Sequence, residues 1–190
     1  MPLIPSLLLN VGHALDHLFL LIFATAVSAI AIDFGMGRWE DMMPYTVGAF
    51  LMFGLGSIPA GRLGDLWGRR PMMIVFFLGI GASSIAVAFT QTPMQMAIAL
   101  TVLGVFSAIY HPVGIPLLVQ KSSRPGFTIG VNGLAGNLGI AMAALLTGFL
   151  VAWQGWRMAF IVPGLVSIVC GVLFAWLAPQ EQMAASQKKR

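Results

Sequence analysis

Three ionisable residues lie close together where a long apolar segment begins: His13, Asp16 and His17 open the stretch HALDHLFLLIFATAVSAIAI. On a helix these three positions share one face, and Asn10 lies on that face one turn earlier. Ionisable groups inside a membrane cost free energy and tend to line a pathway or pair with one another. The pattern favours a functional cluster; the alternative is that Asp16 is a structural acid paired with His17.

Two kinds of chemistry fit this cluster. Histidine changes charge near physiological pH, so an Asp–His pair can pass a proton. Imidazole and carboxylate groups one turn apart also suit zinc, nickel or cobalt, and the i,i+4 spacing of His13 and His17 fits such a site. Because no cysteine and no fourth acidic ligand lies near this segment, we favour proton handling and expect no resident metal and no cofactor.

The composition is that of a membrane protein. Of the 190 residues 58% are hydrophobic and 8% are charged, whereas a soluble domain carries about a quarter charged residues. The segments 71–120, 125–156 and 158–180 contain no Asp, Glu, Lys or Arg. The single Cys170 excludes a disulfide framework and a CxxC site. The cations are not interleaved with aromatic residues, so we expect no nucleic-acid partner.

The apolar segments predict an all-α polytopic membrane protein with six spanning helices, which could form two inverted triplets, a 3+3 repeat. The first apolar stretch is too long for a signal peptide. We expect a six-helix bundle over 1–179 and a cytoplasmic tail, or the start of a linker, over 180–190. The predicted helices cover about 6–32, 43–62, 71–90, 94–119, 127–152 and 157–178.

The positive-inside rule predicts the orientation. If the N-terminus is cytoplasmic, only Arg38 and Arg157 fall on the outer side. Both termini are therefore expected in the cytoplasm. The remaining basic residues then lie on the cytoplasmic side: Arg62, Arg69, Arg70, Lys121, Arg124, Lys188, Lys189 and Arg190.

The loop GRLGDLWGRRPMM between the second and third predicted helices has the most specific pattern. Gly61 and Gly68 would let a very short loop turn, because glycine accepts backbone angles that other residues resist. Asp65 would cap the following helix. Arg69 and Arg70 would hold the loop on the cytoplasmic side. The alternative is a loop that only sets topology.

This loop resembles the motif Gly-x-Leu-x-Asp-x-x-Gly-Arg-Arg between helices two and three of the major facilitator superfamily. It departs at Leu66, where the family often has a basic residue. A second match, Gly155, Trp156 and Arg157 followed by Met-Ala-Phe, resembles the start of helix six. The resemblance covers essentially the whole chain as the N-terminal half of such a transporter. It implies that helices one and four line a central cavity and that three and six face outward.

Other features of the family are missing. Leu100 stands where an arginine is often found early in helix four, and Ala143-Ala144 stands in the region of the helix-five Gly-Pro of the antiporters. Assignment as a drug–proton antiporter is weakened accordingly. A narrower similarity is to the fosmidomycin-resistance type of efflux protein. It rests on His13 with Asp16, on Tyr110-His111-Pro112 and on Gly136-Asn137-Leu138-Gly139.

Helices one, four and five bring polar residues to a similar depth, in the cytoplasmic half of the membrane. His111 could instead satisfy a carbonyl freed by Pro112, and the two asparagines could be packing contacts. Tyr110 could be interfacial packing. We predict a proton and substrate pathway formed by His13, Asp16, His17, Tyr110, His111, Asn132 and Asn137.

The resemblance implies secondary transport of a small solute by one half of a twelve-helix carrier in the bacterial inner membrane. We expect coupling to protons, with export as the favoured direction. A second six-helix half would come from a missing part of the same gene or from a second copy of the chain. The alternative is a non-transporting membrane subunit, or a truncated half, that only assembles with a partner. No HExxH, GxSxG or phosphate-binding loop is present, so we do not expect an enzyme.

Overall fold

The structure, a computed structural model, describes residues 2–120 and 122–180. The predicted tail, apart from Gln180, lies outside the described residues, as does Lys121. The expected positions of these residues relative to the membrane therefore stay predictions.

The described chain is helical throughout. A 3₁₀ segment, Trp39–Thr46, precedes the second helix, and a π-helical segment, Tyr110–Gly114, joins the fourth helix to the fifth. Within the described residues six spans are long and apolar enough to cross a membrane, and the fourth combines two helices with the π-helical segment. The prediction of an all-α fold with six membrane spans is confirmed. The helices are α1 Leu3–Asp33, α2 Val47–Trp67, α3 Arg69–Ala88, α4 Pro93–Ser107, α5 Ile115–Val119, α6 Pro125–Gln154 and α7 Trp156–Leu177.

The second helix continues to Trp67 instead of ending near 62, so Gly61 lies inside α2. The prediction that Gly61 forms the turn is therefore wrong. A Cβ atom at Gly61 would lie 3.3 Å from the Cβ of Pro112, so this glycine permits close contact between α2 and the π-helical segment. Gly68 is the turn residue between α2 and α3, with a φ of +99° that other residues rarely adopt.

Pro112 explains the irregular fourth span. Proline lacks a backbone N–H, and its ring crowds the preceding helical turn. The chain responds by winding residues 110–114 as a π-helix. Such π-helical turns are frequent at functional sites because they re-aim side chains. Here the turn contains both Tyr110 and His111.

Two helix pairs form the core of the bundle: α1 packs along α6, and α3 packs along α7. A Cβ atom at Gly139 of α6 would lie only 2.0 Å from the carbonyl oxygen of Ala14, so the two backbones touch. Small residues allow such close approach in a bilayer. Between α3 and α7, the Ser84 hydroxyl donates to the carbonyl oxygen of Phe160 at 2.8 Å. These contacts fix how α1 faces α6 and how α3 faces α7.

Candidate functional site

Asp16 is a fully buried carboxylate at the centre of the bundle. It lies about 20 Å along α1 from the start of the helix, at 1.5 Å per residue. Its Oδ1 accepts a hydrogen bond from the Ser107 hydroxyl of α4. Its Oδ2 lies 3.5 Å from the Nδ1 of His111. The sequence analysis missed Ser107, although a hydroxyl one turn before His111 could have suggested it.

His13 is held from several sides. Its Nδ1 lies 2.7 Å from the main-chain carbonyl oxygen of Asn132. Because a carbonyl oxygen can only accept, this Nδ1 carries the hydrogen and donates it. The imidazole stacks on the Tyr110 ring, with centroids 4.7 Å apart and planes 12° apart. A Cβ atom at Gly136 would lie 2.7 Å from the His13 ring, so that glycine leaves space for the imidazole.

Tyr110 and Asn132 extend this contact into a network that joins three elements. The Tyr110 hydroxyl donates to the carbonyl oxygen of Leu9 at 2.7 Å. It accepts from the Asn132 Nδ2 at 2.8 Å. The same amide donates to the Asn10 Oδ1 at 2.9 Å. The π-helical segment, α1 and α6 are thereby linked by hydrogen bonds within the apolar interior.

Replacing Tyr110 by Phe should lower the free energy of unfolding by about 1 kcal/mol, because interhelical hydrogen bonds in membranes contribute roughly 0.6–1.7 kcal/mol. The substitution keeps the ring against His13 but removes the hydroxyl. Unfolding in mixed detergent micelles, followed by circular dichroism, measures the change. Tyr45→Phe, on the 3₁₀ segment outside this network, is the matched control. Equal losses for the two variants would contradict the network.

His17 and His111 complete a cluster of three imidazoles. The Nε2 of His17 lies 3.1 Å from the Nε2 of His13. The His111 ring stands edge-on to both, with centroids 5.1 Å and 5.5 Å away. His17 and His111 are only partly buried, whereas His13 is buried. The three histidines that the sequence contains are thus gathered from α1 and the π-helical segment.

Asn137 is not brought to this cluster. It follows Asn132 by five residues, which places it about 140° further around the helix. It is exposed on α6, whereas Asn132 is buried. Of the seven predicted pathway residues, the structure therefore gathers six. Their role in a pathway remains a prediction.

The loop motif connects α2 and α3 to the end of α7. Asp65 lies exposed in the last turn of α2, with its Oδ1 3.4 Å from the Nη2 of Arg69. It does not cap α3 as expected. Arg70 donates from Nε to the carbonyl oxygen of Ala178 at 2.9 Å and from Nη2 to the carbonyl oxygen of Ala175. The final carbonyls of a helix lack partners within the helix, so this arginine satisfies two groups at the end of α7.

A second group of contacts links the C-terminal ends of α1 and α3 to the N-terminal end of α7. Gly155 makes the turn between α6 and α7 with a φ of +87°. Trp156 donates from Nε1 to the Oδ2 of Asp33 at 3.3 Å. Arg157 donates to the same oxygen at 2.8 Å and to the carbonyl oxygen of Thr90 at 3.3 Å. The sequence analysis did not identify Asp33 as a partner of Arg157.

The coupling between Arg157 and Asp33 should be small, about 0.2–1 kcal/mol, because exposed ion pairs gain little over hydration. Their side chains are 40% and 41% exposed. A double-mutant cycle of Arg157→Ala and Asp33→Asn on the free energy of unfolding measures this coupling. It should decrease further at high salt. A coupling of several kcal/mol that salt leaves unchanged would contradict this expectation.

Six apolar spans around a buried polar cluster define an integral membrane protein of the polytopic α-helical class. The chain belongs to the Major Facilitator Superfamily, whose sequence model matches residues 9–190. The family resemblance seen in the loop motif is confirmed, and the protein is a multi-pass membrane protein of a transporter family.

Three similar proteins illustrate this membership. The chain is 30% identical over 158 residues to a probable actinorhodin transporter of Streptomyces coelicolor, covering 78% of this chain and 27% of that protein. It is 28% identical over 189 residues to the tetracenomycin C resistance and export protein of Streptomyces glaucescens, covering 96% and 35%. A solved bacterial homologue of the human lysosomal transporter Spinster, inward-facing and occupied, matches with a TM-score of 0.83 at 16% identity, covering 97% and 46%.

The chain thus spans between 27% and 39% of the length of the first two curated relatives it matches. The likeness to the solved structure shows the shared fold. The narrower similarity to fosmidomycin-resistance proteins stays a prediction.

Proposed function

We propose that this chain forms one half of a secondary transporter that exports a small organic solute in exchange for protons across the bacterial cytoplasmic membrane. The observation that carries the proposal is Asp16, a fully buried carboxylate inside a membrane span with a histidine beside it. A buried charge without a counter-charge is strongly unfavourable. An acid retained at such a position is therefore a functional candidate.

Asp16 and His111 can share one proton in two ways. Either the carboxyl is protonated beside a neutral imidazole, or a carboxylate faces an imidazolium. Both arrangements leave the pair with no net charge, whereas loss of the proton leaves a buried carboxylate without a counter-charge. If solvent reaches the pair from one side at a time, release of this proton is coupled to the change of conformation.

A groove supports a route to this site from the expected cytoplasmic side. It has a volume of about 390 Å³ and lies at the N-terminal ends of α1 and α6. Asn10 lines it, and the same residue accepts the hydrogen bond from Asn132 in the polar network. The groove combines apolar and hydroxyl-bearing side chains, which suits an organic solute. Its polar and apolar lining includes Ser6, Leu7, Ser122, Phe127 and Thr128.

Two spans support a missing second half. In the most apolar 18-residue stretch of the α2 span only 17% of the residues are buried, and in that of the α6 span only 28%. The corresponding share is 56% for α1 and for α3. The exposed α6 surface includes Asn137, whose amide would lack hydrogen-bond partners against lipid tails. We propose that a second six-helix half, from the same gene or from a second copy of the chain, packs on α2 and α6.

The direction and the solute class are proposed from the relatives. One of them is named for export of, and resistance to, tetracenomycin C, and another for transport of actinorhodin. Both names describe organic molecules that a groove of mixed polarity could accept. Export of an organic solute is therefore the proposal to test first.

Inverted membrane vesicles carrying the protein test the proposal. With an acidic interior, exchange should accumulate tetracenomycin C or actinorhodin inside the vesicles, and a protonophore should abolish the accumulation. Vesicles without the protein provide the background. Accumulation that persists without a pH gradient would contradict proton coupling. If neither solute accumulates above the level in vesicles without the protein, the solute assignment is contradicted.

The alternative function is a membrane subunit that does not transport by itself. It is favoured by the coverage of the relatives, of which the chain matches about a quarter to two fifths. Native mass spectrometry of the detergent-solubilised protein distinguishes the two. A homodimer would have twice the 20.3 kDa of the chain, whereas a regulatory subunit would be recovered with a complete carrier.

A further inference from the structure

We propose that His13, His17 and His111 form a binding site for a divalent transition-metal ion, for which zinc is the best fit. The ligand nitrogens of these three residues all lie within 4.8 Å of one another. The sequence pattern alone offered two imidazoles from one helix and led us to expect no metal. The structure adds the third imidazole from the π-helical segment. The inference requires only the folded bundle and is independent of the proposed transport.

The spacing of two of the nitrogens already suits a shared ion. A tetrahedral zinc ion with bonds of about 2.0–2.1 Å to nitrogen places its ligand atoms roughly 3.3–3.4 Å apart. The Nε2 atoms of His13 and His17 are 3.1 Å apart. His111 is only partly buried, and its ligand nitrogen, which lies within 4.8 Å of the other two, would have to move closer for one ion to bind all three. The ion would take the place of the hydrogen that His13 and His17 share.

His13 has the outer partner that metal ligands usually have, and His111 faces a carboxylate that could take this role. A metal-binding histidine typically donates its second ring N–H to a carbonyl or carboxylate, which fixes the tautomer. His13 does so to the carbonyl oxygen of Asn132, which leaves Nε2 as its unprotonated nitrogen. The Nδ1 of His111 faces the Oδ2 of Asp16 at 3.5 Å, which directs the Nε2 of His111 away from the carboxylate.

The charge of Asp16 supports a cation at this position. Neither its Oδ2 nor the Nδ1 of His111 has a hydrogen-bond partner among the described residues, although both atoms are buried. A dication on the far side of the imidazole would polarise the Nδ1–H and strengthen its attraction to the carboxylate. The buried negative charge would then be balanced through His111.

The ligand set also indicates which ions would bind and which coordination position would stay open. Three imidazoles suit zinc, cobalt, nickel or copper, whereas magnesium and calcium prefer oxygen ligands. Three protein ligands leave the fourth tetrahedral position open for water or a solute atom. Because His17 and His111 are only partly buried, that position would face the less tightly packed side of the cluster.

Cobalt binding to the intact chain tests the site. The protein is purified in detergent through an affinity tag that contains no histidine, because these three are the only histidines in the sequence. One cobalt ion per chain is expected, with visible absorption much stronger than that of hydrated cobalt. Zinc should displace the cobalt, and magnesium should not. Cys170→Ser, on α7, should leave the spectrum unchanged.

Substitutions then distinguish the proposed ligands from their outer partner. His13→Ala, His17→Ala and His111→Ala should each lower zinc affinity at least about 100-fold, the upper end of what loss of an outer partner costs. Asp16→Asn should lower it roughly 10–100-fold with the stoichiometry unchanged. If an alanine variant fails to fold, His17→Gln, at a partly buried position, replaces it.

The proposal would be overturned if cobalt added to the folded parent protein absorbed like hydrated cobalt. It would also be overturned if the folded His111→Ala variant bound zinc as tightly as the parent. This outcome is separate from a failure of the transport proposal. A protein that binds cobalt but exchanges no protons would refute only the transporter, and the reverse result would refute only the metal site.

Discussion

Replacing Asp16 by asparagine is expected to reduce proton-coupled solute exchange to the background of vesicles without the protein, while the bundle stays folded. Asparagine has nearly the same shape and its oxygen can still accept from Ser107. It cannot take up or release a proton, so the exchangeable proton of the Asp16–His111 pair is lost. Solute-driven changes in the internal pH of inverted vesicles, followed with a pH-sensitive dye, measure the exchange.

The matched control is Asp41→Asn, an exposed acid in the 3₁₀ segment. It should exchange at the parental rate. Stability separates loss of function from loss of fold: Asp16→Asn should unfold at the same temperature as the parent or higher, because it removes a buried ionisable group. Parental exchange by the Asp16→Asn protein would refute the proton role of this residue.

The number of spans and the family could be predicted because they depend on local features of the sequence. About 20 apolar residues cross the bilayer core whatever their partners are. The turn at Gly68 requires a positive φ, and a glycine at that position predicts such a turn. The grouping of His13, Asp16 and His17 follows from helical spacing alone.

Contacts between helices could not be predicted because they depend on how each helix is rotated about its axis. Ser107 meets Asp16 only because α4 presents that hydroxyl to α1. Asn137 has the same residue type as Asn132 and follows it by only five residues, yet it lies on another face of α6. Gly61 was assigned to a turn because glycine accepts backbone angles that other residues resist. Its packing partner, Pro112, is distant in sequence, so the packing role could not be seen.

The third imidazole illustrates the same limit. The depth of His111 in the membrane could be estimated by counting residues from the end of its span. Its distance from Asp16 depends on the π-helical winding at Pro112, which rotates the side chains of that turn relative to an α-helix. Composition and periodicity do not predict this winding, so a site that needs all three histidines emerges only in three dimensions.

Gly139→Ala should lower the free energy of unfolding by about 2–3 kcal/mol, toward the upper end of the range for overpacked cores. The added methyl group would lie 2.0 Å from the carbonyl oxygen of Ala14 and 2.7 Å from its Cα. These are backbone atoms of α1, so no side-chain rotation can relieve the contact. The two helices must separate, and Ala14 is the neighbour of His13 in sequence. Unfolding in mixed micelles measures the loss.

Gly133→Ala is the matched control on the same helix, because nothing lies within 4 Å of a Cβ atom at that exposed position. It should be neutral or stabilise α6 by up to about 1 kcal/mol, since alanine has the higher helix propensity. If packing of α6 against α1 positions His13, then Gly139→Ala should also weaken cobalt binding at the three histidines, and Gly133→Ala should not. Equal stability of the two variants would contradict the close approach of α1 and α6, on which the geometry of the polar cluster depends.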